Sequence, residues 1–295
     1  MTETLIAGVA AQQCTVSPAT VLEWVRHGIE DVAQRALGIE LTWHTFASLE
    51  VEDLPRRASE AQLTRHFGRD GLDYAFVERR WAQGEPGSAQ FGAESKKMRD
   101  EWEADPDIER YNPAMDVGDV RANFPSPVPW TPEPVSGLRV GVALSRWALY
   151  GGGKRLDWLA GALTTWTLEA ADALNADCGF VALGERGLHD DDSHWEYAHR
   201  LSPARRDLRQ WLWGFGWGTL LGPTHVATLG GLDGLRPIAE RIIERPDGRV
   251  WVELGPDPAS VPTERLEELE RQLGPVLRRG DSIPSSQRTD RGPEQ

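Results

Sequence analysis

Cysteine is nearly absent: Cys14 and Cys178 are the two thiols in 295 residues. So small a number excludes a disulfide framework and a four-cysteine zinc site. Each lies beside an apolar strand pattern and reads as a small core residue. Long apolar runs are also missing, since no stretch reaches the roughly 18 residues that a spanning helix requires. The first residues carry an acid, Glu3, where a secretory signal needs positive charge. Cytoplasmic localisation and no membrane partner are therefore expected. Basic residues are outnumbered, 32 Lys and Arg against 46 Asp and Glu, for a formal charge of −14. Such a field repels phosphate and excludes a nucleic acid as the expected partner. It serves solubility, and it equally suits a basic protein partner.

What is present is a globular composition, with 40% apolar and 26% charged residues. Residues 5–11 read as an apolar strand. Ser17 is placed to cap a helix that has Pro18 at its first position, and Val21, Val25, Ile29, Val32 and Ala36 recur at helical spacing up to Gly38. Alternation predicts strands over 39–45 and 73–79, and the charged stretch 93–104 predicts an exposed helix. Five prolines in 123–136 forbid helix and interior strand, so this stretch is expected to be an extended connector. After it the pattern restarts: a strand at 138–144, a helix striped by Leu156, Leu159, Leu163, Trp166, Ala170 and Leu174, and a strand at 178–183. A polar insertion is expected at 184–200, a strand at 249–254, and a last helix capped by Thr263 with Leu266, Leu269, Leu273 and Val276 or Leu277 inward. The fold class is α/β (α+β), as two sheet-and-helix layers or subdomains that each begin strand–helix–strand. The expected division is 1–122, connector 123–136, 137–279 and a disordered tail 280–295.

Catalytic patterns are scarce. Tyr150-Gly-Gly-Gly-Lys-Arg-Leu suggests a phosphate loop, but the first required Gly is Ala148 and the residue after Lys154 is Arg155 where Ser or Thr must hold magnesium. The segment reads as a strand-to-helix turn. No Gly-x-Ser-x-Gly elbow occurs, neither cysteine has a basic neighbour in sequence, and no catalytic residue is named. Ligand-type side chains concentrate between His189 and His199, which hold three imidazoles and four carboxylates between them. His189, Asp191, His194 and His199 form the candidate metal set, although the spacing matches no recognised signature. The expected cofactor is none.

Tryptophan is abundant, at 13 residues of which eight follow residue 136. Its large apolar body and single N–H suit core pillars or interface anchors. Trp147, Trp158, Trp166 and Trp251 fall within regular elements and read mainly as core. Trp211, Trp213 and Trp217 alternate with Gly214, Gly216 and Gly218, which reads as a tightly packed strand or a binding surface. With His225 they form the candidate interface.

The run Leu-Trp-Gly-Phe-Gly-Trp-Gly-Thr-Leu-Leu-Gly-Pro-Thr-His-Val-Ala-Thr-Leu-Gly-Gly over 212–231 resembles a pattern of the bacterial type VI immunity family. There a Trp-containing strand leads into a short helix closing on Leu-Gly-Gly. The preceding strand–long helix–strand and the following Val250-Trp-Val-Glu-Leu-Gly-Pro-Asp-Pro are similar to the same family, so the likeness spans 137–278. The resemblance implies a non-enzymatic antidote that binds a co-encoded toxin, and it carries over no catalytic residue. Two readings stay open, beside that of a scaffold component of a phage-like assembly. One is a protein-binding module, an immunity protein occluding a basic toxin or effector. The other is an enzyme or small-molecule-binding protein with a pocket beside the Trp-Gly strand, metal-dependent through 189–199.

Overall fold

The structure, a computed structural model, describes residues 3–13, 15–16, 18–28, 41–47, 88–95, 116–123, 138–145, 156–185 and 207–277. Its frame is a nine-stranded sheet in which every neighbouring pair runs antiparallel. In chain order the strands are β1 (Glu3–Ala11), β2 (Leu41–Ala47), β3 (Ser88–Ser95), β4 (Asp116–Asn123), β5 (Leu138–Ser145), β6 (Cys178–Glu185), β7 (Gly218–Leu221), β8 (Arg241–Glu244) and β9 (Val250–Glu253). Across the sheet they run β2-β3-β4-β5-β1-β6-β7-β9-β8. The described helices are α1 (Pro18–His27), α2 (Leu156–Ala173), α3 (Pro223–Thr228), α4 (Leu232–Leu235) and α5 (Thr263–Leu273). This is a mixed α+β architecture. The sheet is continuous through both halves of the sequence, since β1 pairs with β5 on one side and β6 on the other.

A strand at the centre of such a sheet is covered on both faces, which is why Leu-Ile-Ala-Gly-Val-Ala-Ala is an almost unbroken apolar run. Leu5, Ala7 and Val9 face α2, and the partners of Ala7, Val9 and Ala11 on β5 are Val142, Val140 and Leu138, all buried. Helix α2 lays Leu159, Leu163, Trp166 and Ala170 on that face at spacings of three and four. Buried Thr167 satisfies its hydroxyl by donating to the Leu163 carbonyl at 2.7 Å. Asn175 takes the left-handed conformation at φ 51, and the Ala176 N–H closes back on the Ala171 carbonyl at 2.9 Å. That reversal ends the helix and delivers the chain to β6. Buried Cys178 opens β6.

Several expectations are corrected. Residues 93–95, expected to begin a charged helix, end β3: Ala93 pairs with Trp43 on one side and Gly118 on the other. Pairing on both edges outweighs the local preference of a charged run. Gly184 and Glu185, expected in the polar insertion, continue β6 opposite Thr4 and Glu3. Asn123, expected in the connector, closes β4 opposite Arg139. Thr263 is not the cap of α5 but its first helical residue; Pro262 precedes it at φ −63 and ψ 149 and fixes the approach of the chain. Inward, Leu269, Leu273, Val276 and Leu277 are all buried and Leu266 partly so. Trp158, expected with the core tryptophans, is 49% exposed, whereas Trp166 and Trp251 are buried. Cys14, Ser17, Trp147, the glycines of 151–153 and the stretches 29–38, 73–79, 124–136, 186–206 and 280–295 lie outside the described residues.

Candidate functional site

The Trp-Gly stretch lies on the sheet face opposite α2, and its glycines explain its path. Gly8 and Phe180 are partners on β1 and β6. Trp213 covers both, its ring centroid 5.1 Å from that of Phe180 in an edge-on arrangement. A Cβ on Gly8 would come 2.6 Å from the Trp213 ring. Residues 211–217 are not a strand, contrary to the packed-strand reading; pairing starts only at Gly218. The reason is steric. A Cβ on Gly216 would lie 2.5 Å from the Val181 carbonyl oxygen, so the chain crosses directly over the backbone of β6. Trp217 is buried and donates its indole N–H to the Gly255 carbonyl at 2.7 Å.

On the α2 side, Trp251 occupies the space beside β7. A Cβ on Gly218 would meet Trp251 Cζ2 at 2.2 Å, and the indole N–H donates to Glu253 Oε1 at 2.8 Å. Glu253 is buried and takes its countercharge from exposed Arg241, its cross-strand partner, at 3.4 Å. Of the candidate interface residues, Trp213, Trp217 and His225 are therefore in the core, and Trp211 alone keeps part of its surface. His189, Asp191, His194 and His199 lie outside the described residues, among which no group of three or more His, Cys, Asp or Glu is placed to hold a metal ion.

His225 is wholly buried. Helix α3 starts after Gly222, which is extended at φ −71 and ψ 164, and Pro223 takes the first helical position. His225, in the first turn, accepts the Gly222 N–H on Nδ1 at 3.0 Å. This is one half of a capping box, with imidazole in the place of Glu or Gln and no cap side chain to return the bond. An accepting Nδ1 requires the tautomer with its proton on Nε2. Nε2 meets no hydrogen-bond partner among the described residues. Burial holds the imidazole down to about 4; the Leu208 backbone and then the Asp207 carboxylate favour the charged ring without offsetting it.

Around this histidine the ends of β1 and β6 are tied to the 207–212 segment. The Asp177 carboxylate accepts the Gln12 N–H at 2.6 Å, and the Gln12 side-chain carbonyl accepts the Leu208 N–H at 2.6 Å. Arg209 stands 3.7 Å from the other Asp177 oxygen and donates to Gln13 at 3.2 Å. Leu212 then donates its N–H to the Val276 carbonyl at 2.9 Å. None of Gln12, Asp177, Asp207 or Arg209 was legible as a group, because the contacts join residues 165 and 196 positions apart. The arrangement can fix a surface rigidly. It assembles no nucleophile with a base.

Fold and site together define a mixed α+β protein built on one antiparallel sheet, with a tryptophan-glycine segment packed across its centre. The same fold occurs in the Pseudomonas aeruginosa T6SS protein PA0821, aligned over 93% of this chain and 76% of that chain with a TM-score of 0.50 and 15% sequence identity. No protein-family model and no curated protein matches the chain. Among the described residues no helix is long and apolar enough to cross a membrane.

Proposed function

We propose that this chain is a non-enzymatic protein-binding module, an immunity protein that neutralises a toxin or effector by occlusion. The observation that carries the reading is the fold it has in common with a T6SS protein along almost the whole chain. The sequence resemblance to the type VI immunity family points the same way, and the short helix that family has before Leu-Gly-Gly is present as α3 before Leu229-Gly230-Gly231. A charge of −14 supplies the physics of encounter, because an acidic surface steers onto a basic enzyme and accelerates association at low ionic strength.

In this reading the tryptophans act at two levels. Trp213 and Trp217 hold the segment rigid from beneath, and partly exposed Trp211 is the anchor offered to the partner. Rigidity matters because a surface ordered before binding loses less entropy on binding. Co-expression with the toxin or effector encoded beside the gene tests it. The expected result is a stoichiometric complex, loss of the toxin's activity and an association rate that falls as salt is raised. A toxin that stays active and unbound at excess of this chain would rule the reading out.

A further inference from the structure

We propose that the unit formed by α3 and its flanking glycines, residues 222–231, is an acid-released latch: proton uptake by His225 removes the acceptor holding the Gly222 N–H and frees the unit from Asp177 and Leu208 while the sheet stays folded. The geometry sets up a conflict between capping and charge. Nδ1 accepts the Gly222 N–H at 3.0 Å, so a proton there would place two donors face to face. The ring is wholly buried, and the Leu208 backbone and Asp207 carboxylate that favour its charged form do not offset the cost of that burial. A charged imidazole is therefore incompatible with the closed position and must leave it.

The unit is built to move by itself. A six-residue helix has little stability of its own, and α3 turns most of its residues to solvent, with Pro223, Thr224, Ala227 and Thr228 exposed. His225 and Leu229 are its buried side chains. Gly230 and Gly231 follow at φ 85 and φ 74, a conformation that glycine adopts freely, and a Cβ on either would meet nothing within 4 Å. At the other end Gly222 is seated against the Asp177 carbonyl, where a Cβ would come within 2.7 Å. β7, which precedes the unit, is buried throughout and paired on both edges, so opening can stop at Leu221.

Among the described residues the titratable groups around the ring are few. Asp207, from the 207–212 segment, attracts the charged ring and works against release. Asp177, across Gly222, is already engaged by the Gln12 N–H and Arg209. The 274–276 turn that packs against α3 brings Gly, Pro and Val, none titratable.

Amide hydrogen exchange followed from pH 7.5 to pH 5, corrected for the intrinsic chemistry of exchange, tests the latch. In the wild type, protection over 223–231 should fall by about 30-fold at pH 5, the factor set by an imidazole near 4 when closed and 6.5 when open, while β1, β5 and β6 keep theirs. His225→Gln puts a natural capping-box residue at the same position, and its protection should not change with pH. Protection that is independent of pH, that falls equally in His225→Gln, or that is lost together with the central strands would overturn the proposal. Should that variant fail to fold, the imidazole nitrogen spectrum of the wild type decides. The Nε2–H tautomer down to pH 5 supports the latch, and an Nδ1–H tautomer or a midpoint near 6.5 refutes it.

Discussion

Asp172, in the last turn of α2, accepts a hydrogen bond on Oδ1 from Arg249 Nη2 at 2.5 Å and takes a second guanidinium, that of Arg245, on its other oxygen. Both arginines flank the β8–β9 turn, where Gly248 N–H donates to the Arg245 carbonyl at 3.0 Å and Gly248 itself sits at φ 85. Pro246 and Gly248 are the residues such a turn with a left-handed closing position demands. Arg249 is 10% exposed and also donates to the Ala176 carbonyl at 3.2 Å and from Nε to Asp247 at 2.6 Å. One side chain thus fastens the hairpin to the end of the long helix.

Arg249→Met should therefore lower stability by about 2 kcal/mol. Two half-exposed carboxylates and a carbonyl each lose one donor, while water recovers part of the loss at the exposed oxygens. Arg245→Met should cost less than about 1 kcal/mol, since it removes a single pair on a half-exposed acid. Urea unfolding of both variants checks the order. The Arg249 hydrogen bond also holds Asp247 below its ordinary value of 3.8. That contribution is present above the unfolded value and is lost as pH falls through the folded one, and it should vanish in Arg249→Met.

Acid should destabilise the whole chain through His225 as pH falls below 6.5. The folded imidazole is held down to about 4 against 6.5 when unfolded, so below 6.5 the unfolded state binds the proton more tightly. Stability is full above pH 6.5 and declines as pH falls toward 4, by up to about 3 kcal/mol from this group. In His225→Gln that slope should be missing. Chemical denaturation at half-unit steps between pH 4 and 7.5 measures it, and parallel curves for the two proteins would contradict the assignment.

What the sequence revealed follows from where each element's information lies. β1, β5, β6 and α2 were legible because burial writes their pattern locally: a continuous apolar run, alternation, and a stripe at three and four. β4 (Asp-Val-Gly-Asp-Val-Arg-Ala-Asn) and β3 (Ser-Ala-Gln-Phe-Gly-Ala-Glu-Ser) have weak strand preference, and neighbours on both sides make them strands. β8 was missed because four residues, Arg-Ile-Ile-Glu, are too short for periodicity. In the Trp-Gly stretch the composition announced close packing, but only the position of β6 decides that residues 211–217 cross it unpaired. The His225 cap did leave a local trace, Gly-Pro-x-His with imidazole at the third helical position. It was grouped with the interface tryptophans and not read as a cap, because the usual residue there is Glu or Gln.

The fit between Gly218 and Trp251 yields a sharper test of packing than either residue alone. A Cβ on Gly218 would stand 2.2 Å from Cζ2 of a ring that is wholly buried, so no small adjustment admits it. Gly218→Ala should cost about 3 kcal/mol or more. Trp251→Leu should cost a similar amount by leaving a cavity and by removing the indole N–H that serves Glu253. Combined, the two changes should cost less than their sum, because the smaller side chain leaves room for the methyl. A double-mutant cycle in urea measures the coupling, and strict additivity would show that the ring and the glycine do not constrain each other.

The two levels assigned to the tryptophans separate in the same way. Trp213 is 6% exposed and seated over Gly8 and Phe180, so Trp213→Ala should lose about 3–5 kcal/mol and impair folding itself. Trp211 is only half-buried, and Trp211→Ala should change stability by about 1 kcal/mol or less. If it anchors a partner, the same substitution should weaken binding at least tenfold, chiefly through faster dissociation. Salt should act instead on association, where the acidic surface works. Thermal unfolding and binding kinetics on one preparation of Trp211→Ala distinguish the outcomes. A variant that is stable and binds its toxin as tightly as the wild type would move the interface away from this segment, toward another face of the sheet.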